Sequence, residues 1–299
     1  MESQASTRIR AIYRVTLIGS MVNDALIVVK LAAGIVGRSS ALTADAVHSL
    51  SDFLTDIIVL VFVRISGKPK DADHNYGHGK YETFSAMVIG VILCFVGAGL
   101  GLGSAIRVFD AFHGNPLPAP EWTALIVAAL SIIAKESLFR YTITRGRRLN
   151  STAVIANAWH HRSDAFSSIG ALAGIAGAMF LGPDWRVLDP IAAIIVSVFI
   201  IKSGIDITRP NIGELLEKSL SPDDENRIRR IVMSVPGVKA EHNLRTRRIG
   251  NIVSIEMHAK MAGHITLTEA HNIASEIERR IRDAYGSDSL INIHMEPAK

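Results

Sequence analysis

Six windows of the sequence are apolar and long enough to span a hydrocarbon core of about 30 Å at about 1.5 Å of helical rise per residue. They cover residues 12–36, 41–66, 84–109, 121–145, 150–181 and 186–208. In lipid a backbone must satisfy its own hydrogen bonds, and runs of this length do so as helices. Tight turns separate some of them: "GRSS" follows the first and "GPDW" the fifth, each with glycine or proline punctuation. The fifth begins with a polar turn, so only part of it lies in lipid. The N-terminal "MESQASTRIR" carries a glutamate and no small-residue cleavage site after a short apolar core, so the first run reads as an uncleaved span. The expected fold is an α-helical membrane protein of six transmembrane helices, residues 1–209, followed by a soluble α+β domain, residues 210–299.

Composition agrees. Hydrophobic residues make up 48% of the 299 residues and charged ones 20%, with a mean hydropathy of +0.27. The net charge of +4 and pI near 9.3 do not imply a nucleic-acid partner, because the arginines cluster at the ends of apolar runs. Arg8 and Arg10 precede the first span, Lys68, Lys70 and Lys80 follow the second, and Arg145, Arg147 and Arg148 follow the fourth. The opposite loops offer only Arg38 and Arg186. The positive-inside rule therefore puts both termini in the cytoplasm; the bilayer is a partner, and the inner membrane is the expected location. A single cysteine, Cys94, excludes an intrachain disulfide and reads as a small buried hydrophobe.

After Pro210 the pattern changes. "SPDDENRIRRIVMSV" starts with a capping serine and continues as an amphipathic helix. "KAEHNLRTRRIGNIVSIEMHAKM" reads as two strands around an Arg-Ile-Gly-Asn turn, with Val253, Ile255 and Met257 on one face and Ser254, Glu256 and His258 on the other. "TLTEAHNIASEIERRIRDAYG" is a second amphipathic helix ending at a glycine, and "SLINIHMEP" a last strand. The order is αββαβ.

The spans are not uniformly apolar. At 100° per residue, Asp45, His48, Asp52 and Asp56 of the second window fall within about 80° of one another. In the fifth, Asn157, His160, His161 and Asp164 fall within about 100°, whereas Arg162 points away. Each stripe contains His-x-x-x-Asp, and residues four apart lie one turn above each other, within reach of one metal ion. Two such helices face to face supply two imidazole nitrogens and two carboxylates, a set that suits tetrahedral zinc and is acceptable to iron, cobalt, cadmium or manganese. The alternative is polar glue between helices. Glue rarely needs several ionisable groups on one stripe, because a charge near the bilayer centre costs at least about 2.5 kcal/mol. Asp45 and Asp56 stay open: further ligands, the lining of an approach, a partner for Lys30, or water-facing groups. Lys135 and Glu136 are expected to pair with each other.

Two more clusters lie outside the spans. In "DADHNYGHGK", Asp71, His74 and His78 are metal-type ligands within eight residues, and Gly77 and Gly79 allow the backbone to fold them together. The alternative is a solvated loop. The tail holds His242, His258, His264, His271 and His294, with Glu296 beside the last on one strand face.

"SSALTADAVHSLSD", "DHNYGHGKYE", "NAWHHRSD", "PGVKAEHNLRTRRIG" and "INIHMEP", in that order, resemble the cation diffusion facilitator family from about residue 10 to the end. The likeness is greatest to the bacterial zinc and iron efflux branch with short loops. The resemblance implies six helices plus a metallochaperone-like cytoplasmic αββαβ domain, a homodimer, and exchange of a divalent metal for protons by alternating access. It implies a transport site of His48, Asp52, His160 and Asp164, a loop site of Asp71, His74 and His78, and a tail site at the dimer interface from His242, His258, His271, His294 and Glu296. It also pairs Lys80 with Glu217. Zinc is the expected cargo and regulatory ligand. Two departures stand out: His48 replaces an aspartate common in bacterial relatives, which favours zinc over manganese, and Glu296 replaces the expected aspartate. His264 has no counterpart. A non-transporting membrane metal sensor is the rival reading. An intramembrane metalloenzyme is disfavoured, since neither a His-Glu-x-x-His motif nor a nucleophile elbow occurs.

Overall fold

The computed structural model describes residues 2–66, 68, 70–148, 152–250 and 252–298. Within them the side chains of 2–13, Asp52, Thr55, Asp56, 58–61, 63, 64, 152, 153, 156, 157, His160 and Ser163 are not described. The chain forms two compact units, one of residues 1–57 and 89–206, the other of residues 58–88 and 207–299.

Six long helices occupy the expected windows: α1 (Glu2–Val36), α2 (Ser40–Ser66), α3 (Lys80–Phe112), α4 (Trp122–Arg148), α5 (Thr152–Phe180) and α6 (Leu188–Leu215). Among the described residues, Arg14–Val36, Lys80–Phe112, Trp122–Arg148 and Pro183–Leu215 are long and apolar enough to cross a membrane. Helices α2 and α5 are of similar length and carry the polar stripes, and among the described residues Asp164–Phe180 of α5 is a shorter apolar run. Large hydrophobic residues such as Phe95, Phe109 and Phe112 are exposed, as lipid-facing positions must be.

The helices pack through small residues. A Cβ on Gly174 would stand 2.4 Å from the Cβ of Ala192, and one on Gly204 would stand 2.7 Å from Cys94 Sγ, so α6 approaches α5 and α3 as closely as backbones allow. Cys94 is thus a small packing residue, its Sγ 3.7 Å from the Ile201 carbonyl. The turn before α2 is closed by Ser39, whose hydroxyl accepts from Leu42 N at 3.0 Å and donates to Asp189 of α6 at 2.6 Å. A short 3₁₀ turn, Pro183–Val187, links α5 to α6.

The tail has the expected order: α7 (Pro222–Met233), β1 (Val238–Ile249), β2 (Ile252–Ala262), α8 (Leu267–Tyr285) and β3 (Leu290–Ala298). Ser221 caps α7, and Thr266 with Glu269 forms a capping box on α8. The strands make one sheet, β1–β2–β3, with β1 antiparallel and β3 parallel to β2. Ile228, Val232, Val253, Ile255, Met257, Ile277 and Ile281 form a fully buried core between the sheet and the two helices. The alternation in β2 holds, except that Ser254 on the polar face is also buried.

Candidate metal centres

The intramembrane stripes meet. Ser168 of α5 hydrogen-bonds both carboxylate oxygens of Asp45 on α2 at 3.0 Å, and Ser167 reaches Asp45 at 3.5 Å. Asp45 also forms an ion pair with Lys30 of α1 at 2.5 Å, and neither side chain is more than 1% exposed. Of the readings open for Asp45, the structure selects the Lys30 partner. His48 lies one turn on and is half-buried, and Asp164 is buried one turn before Ser168. The side chains of Asp52, His160 and Asp56 lie outside the described residues. His161 is buried, its Nε2 3.4 Å from where a Cβ on Gly19 of α1 would stand. The Arg162 guanidinium lies 4.6 Å from the Phe139 ring of α4.

One expectation fails here. Lys135 does not pair with Glu136. Lys135 is buried, 3.9 Å from Asp164 and 3.5 Å from Ser49 Oγ, while Glu136 pairs with Arg140 at 2.8 Å. Consecutive helical side chains are 100° apart, so the lysine turns inward and the glutamate toward its own i+4 neighbour.

In the second unit, Asp71, His74 and His78 bring ligand atoms within 4.8 Å of one another. Asp71 builds the turn itself: Oδ1 accepts from His74 N at 2.8 Å and Asp73 N at 3.1 Å, an Asx-turn. Gly77 at φ +82° closes it. Asp71 Oδ2 lies 3.3 Å from His78 Nε2, and Tyr81 reaches His74 Nε2 at 3.3 Å. His78 is buried, and among the described residues its Nδ1 has no hydrogen-bond partner. Desolvation raises the Asp71 pKa, but hydrogen bonds from His74 and the charge of His78 outweigh it and hold the carboxyl below its usual range.

Next to this loop, Gly79 packs against the β1–β2 turn: a Cβ there would stand 2.6 Å from the Ile249 carbonyl oxygen. Glu214 accepts from Thr83 Oγ1 and from Gly250 N, both at 2.7 Å, and Lys80 pairs with Glu217, which also meets Arg247 at 3.2 Å.

The tail cluster is a row across the sheet. His242 pairs in register with His258, and His258 with His294. Glu296 lies among them, at 2.7 Å from His258 Nδ1, 3.4 Å from His242 Nε2 and 3.8 Å from His294 Nε2. Ligand atoms of His242, His258 and Glu296 lie within 4.8 Å of one another. The glutamate carboxylate stands among all three imidazoles. The register depends on a bulge after His242, where Asn243 adopts φ +52° and brings its amide 3.1 Å from His258 Nε2. Asparagine tolerates that conformation better than most residues. The hydrogen bond from His258 lowers the Glu296 pKa; desolvation opposes it, and the charges of His242, His258 and Lys260 add to it. His271, exposed on α8, joins neither group among the described residues. His264 is exposed in the loop before α8. Ser49, Ser168, Lys135 and Asn243 were not singled out as site neighbours by sequence; their partners lie on other elements, beyond any spacing rule.

Residues 16–216 match the cation efflux transmembrane domain, and residues 220–298 the cytoplasmic domain of cation efflux proteins. The chain is 33% identical to the manganese efflux system protein MneP of Bacillus subtilis over 98% of both chains. It is 34% identical to metal tolerance protein C1 of Arabidopsis thaliana, covering 94% of this chain and 61% of that one. It is 29% identical to the cation-efflux pump FieF of Shewanella oneidensis, covering 92% and 90%. The chain belongs to the cation diffusion facilitator family: it is a divalent-cation efflux transporter rather than an enzyme, a multi-pass membrane protein with a cytoplasmic C-terminal domain.

Proposed function

We propose that this chain is a homodimer that exports zinc across the cytoplasmic membrane in exchange for protons, by alternating access, with both termini in the cytoplasm. The transport ligands are His48, Asp52, His160 and Asp164. One observation carries the assignment: the two polar stripes contact each other, Ser168 of α5 hydrogen-bonding Asp45 of α2 at 3.0 Å, with a His-x-x-x-Asp motif on each helix. Two imidazoles with two carboxylates suit zinc better than manganese, which prefers oxygen donors. A histidine binds metal only when neutral and an aspartate only when ionised, so metal uptake displaces protons. Histidine changes charge between pH 5 and 8, which suits proton competition at the release step. Metal at Asp71, His74 and His78 and at the His242, His258, His294 and Glu296 row, with His271 from the dimer, tightens the cytoplasmic part and biases the transport equilibrium. That bias requires different metal affinity in the two states.

Manganese is the second reading, favoured by the similarity to manganese efflux proteins MneP and MneS, at 33% and 31% identity. Reconstitution in liposomes with a proton gradient tests both, with zinc, manganese, iron and cadmium in competition. Zinc flux is expected to dominate and to fall in Asp52→Ala by more than the roughly 10–100-fold that losing an outer-shell partner costs. Parent-like zinc flux in that variant sinks the site; manganese outcompeting zinc sinks the cargo.

A further inference from the structure

Basic residues favour the cytoplasmic side of a membrane, yet three arginines gather at the other end of the transmembrane unit. Helix α6 is long and apolar enough to cross a membrane, and its Leu215 end leads into the cytoplasmic domain. Asp189, in its first turn, therefore lies at the opposite end, and so does the Ser39–Ser40 turn bound to it. Arg186, beside Asp189 in sequence, braces the α3–α4 loop by donating to the Leu117 carbonyl at 2.8 Å. The other two, Arg38 and Arg107, line a cavity of about 630 Å³ between the α1–α2 turn and α3.

The cavity has a charged mouth and an apolar wall. Among the described residues that line it, Arg38 and Arg107 are the charged ones. Arg107 gives one N–H to Ser40 Oγ at 2.7 Å, and a guanidinium has five to give. Arg38 is exposed and holds φ +51°, a conformation uncommon outside glycine. Asp189 offsets one of the two charges: it binds Ser39 Oγ and the Ser40 and Ala41 amides, and it lies within the field of Arg107. Two arginines against one aspartate leave one positive charge over. Deeper along α3 the wall is smooth. A Cβ on Gly99 or Gly103 would meet nothing within 4 Å, and both glycines are exposed. With Leu100 and Ile35 they form an apolar groove that runs about 12 Å from Arg107 to Gly99. The covering loop is pinned, since Glu121 N donates to the Gly37 carbonyl at 2.9 Å and Arg186 holds Leu117.

We infer that this cavity seats an anionic phospholipid of the leaflet away from the cytoplasm, with its phosphate between Arg38 and Arg107 and an acyl chain along Gly99 and Gly103. Guanidinium groups suit phosphate oxygens, which they can take in pairs. One surplus positive charge matches one lipid of net charge −1. An apolar groove holds water poorly, and hydrocarbon is what surrounds it. A passage for the metal is the wrong reading of this cavity, because two arginines with no lining carboxylate repel a divalent cation. The inference depends neither on which metal the chain carries nor on the residues that hold it.

The test uses the full chain, purified in detergent and stripped of lipid, with its thermal midpoint followed as phosphatidylglycerol is added. The parent is expected to gain stability and saturate, as binding to the folded state requires. Zwitterionic phosphatidylcholine and inorganic phosphate are expected to raise the midpoint much less. Arg38→Asn removes the charge and keeps a residue that tolerates positive φ. It is expected to need about tenfold more phosphatidylglycerol for half the effect, the worth of a hydrogen bond to a charged group. Gly103→Leu fills the groove without meeting a neighbour and is expected to abolish the response. Should either variant fail to fold, Arg38→Gly and Gly99→Leu make the same two changes. A parent-like response in both variants overturns the inference. So does an equal rise with phosphatidylcholine, which removes the charge recognition, or with inorganic phosphate, which removes the lipid. If Gly103→Leu changes the oligomeric state and leaves the lipid response intact, the groove is an interface between copies and the lipid seat falls.

Discussion

Two regions of this molecule gather histidines and carboxylates, and they neutralise them in opposite ways. In the transmembrane unit, Asp45 and Asp164 each face a lysine, with side-chain exposures of 0–8% across the four residues. On the cytoplasmic sheet, Glu296 is shared by His242, His258 and His294, with exposures of 27–66%. Desolvation accounts for the difference. A carboxylate at low dielectric needs a permanent opposite charge whether or not metal is present, because the ion cost is large and water cannot meet it. At a water-washed sheet face, solvent and the neighbouring imidazoles suffice. The membrane cluster therefore has to be balanced when empty, whereas the sheet cluster can afford to stand as a bare group of ligands.

The largest effect expected from this contrast is at Lys30. Lys30→Met leaves Asp45 buried and unpaired, at a cost of about 3–5 kcal/mol. The double variant Lys30→Met/Asp45→Leu removes both charges and is expected to recover most of that loss, since apolar replacements of buried ion pairs are often close to neutral. Thermal unfolding of the detergent-solubilised chain measures both. A double variant no more stable than the single would break the comparison, because something other than charge balance would then hold Asp45.

A smaller effect belongs to the second unit. Gly79→Ala would place a Cβ 2.6 Å from the Ile249 carbonyl oxygen, a backbone atom that cannot swing aside. Overpacking of this kind costs about 1–3 kcal/mol. The expected signature is faster proteolysis between Asp71 and Lys80, with the transmembrane helices unaffected. Unchanged cleavage would mean that the loop does not depend on its contact with the β1–β2 turn.

What the sequence disclosed and what it hid follow from the range of the interactions. The six apolar windows, both amphipathic helices and the β2 alternation are local periodicities, and helices and strands formed where they were read. The "DADHNYGHGK" turn was legible for the same reason, since an Asx-turn fixes it within a few residues. Pairings between elements were not. Lys135 has a glutamate next door in sequence, yet lies beside an aspartate of another helix, 29 positions on. That His242, His258 and His294 form one row depends on strand register, which in turn depends on a bulge at Asn243 with φ +52°. No spacing rule reports a bulge made by an asparagine.

The smallest expected effect is the sharpest test of the water-washed side of the comparison. Glu296 has its pKa lowered first by the hydrogen bond from His258, against desolvation, with the charges of His242, His258 and Lys260 adding to the shift. A carboxyl depressed on folding contributes stability that is present above its unfolded value, near 4.5, and is lost as pH falls through the folded one. Glu296→Gln without metal is therefore expected to lower the unfolding midpoint slightly at pH 7, and not at all at a pH below the depressed value. Metal ligands must be deprotonated, so acid competes with metal at the cluster. The zinc-induced rise in the midpoint should thus shrink as pH falls in the parent and be smaller in Glu296→Gln at pH 7. If Glu296→Gln costs the metal-free chain as much as Lys30→Met does, the sheet cluster is held by charge pairing as firmly as the membrane one, and the contrast between the two regions disappears.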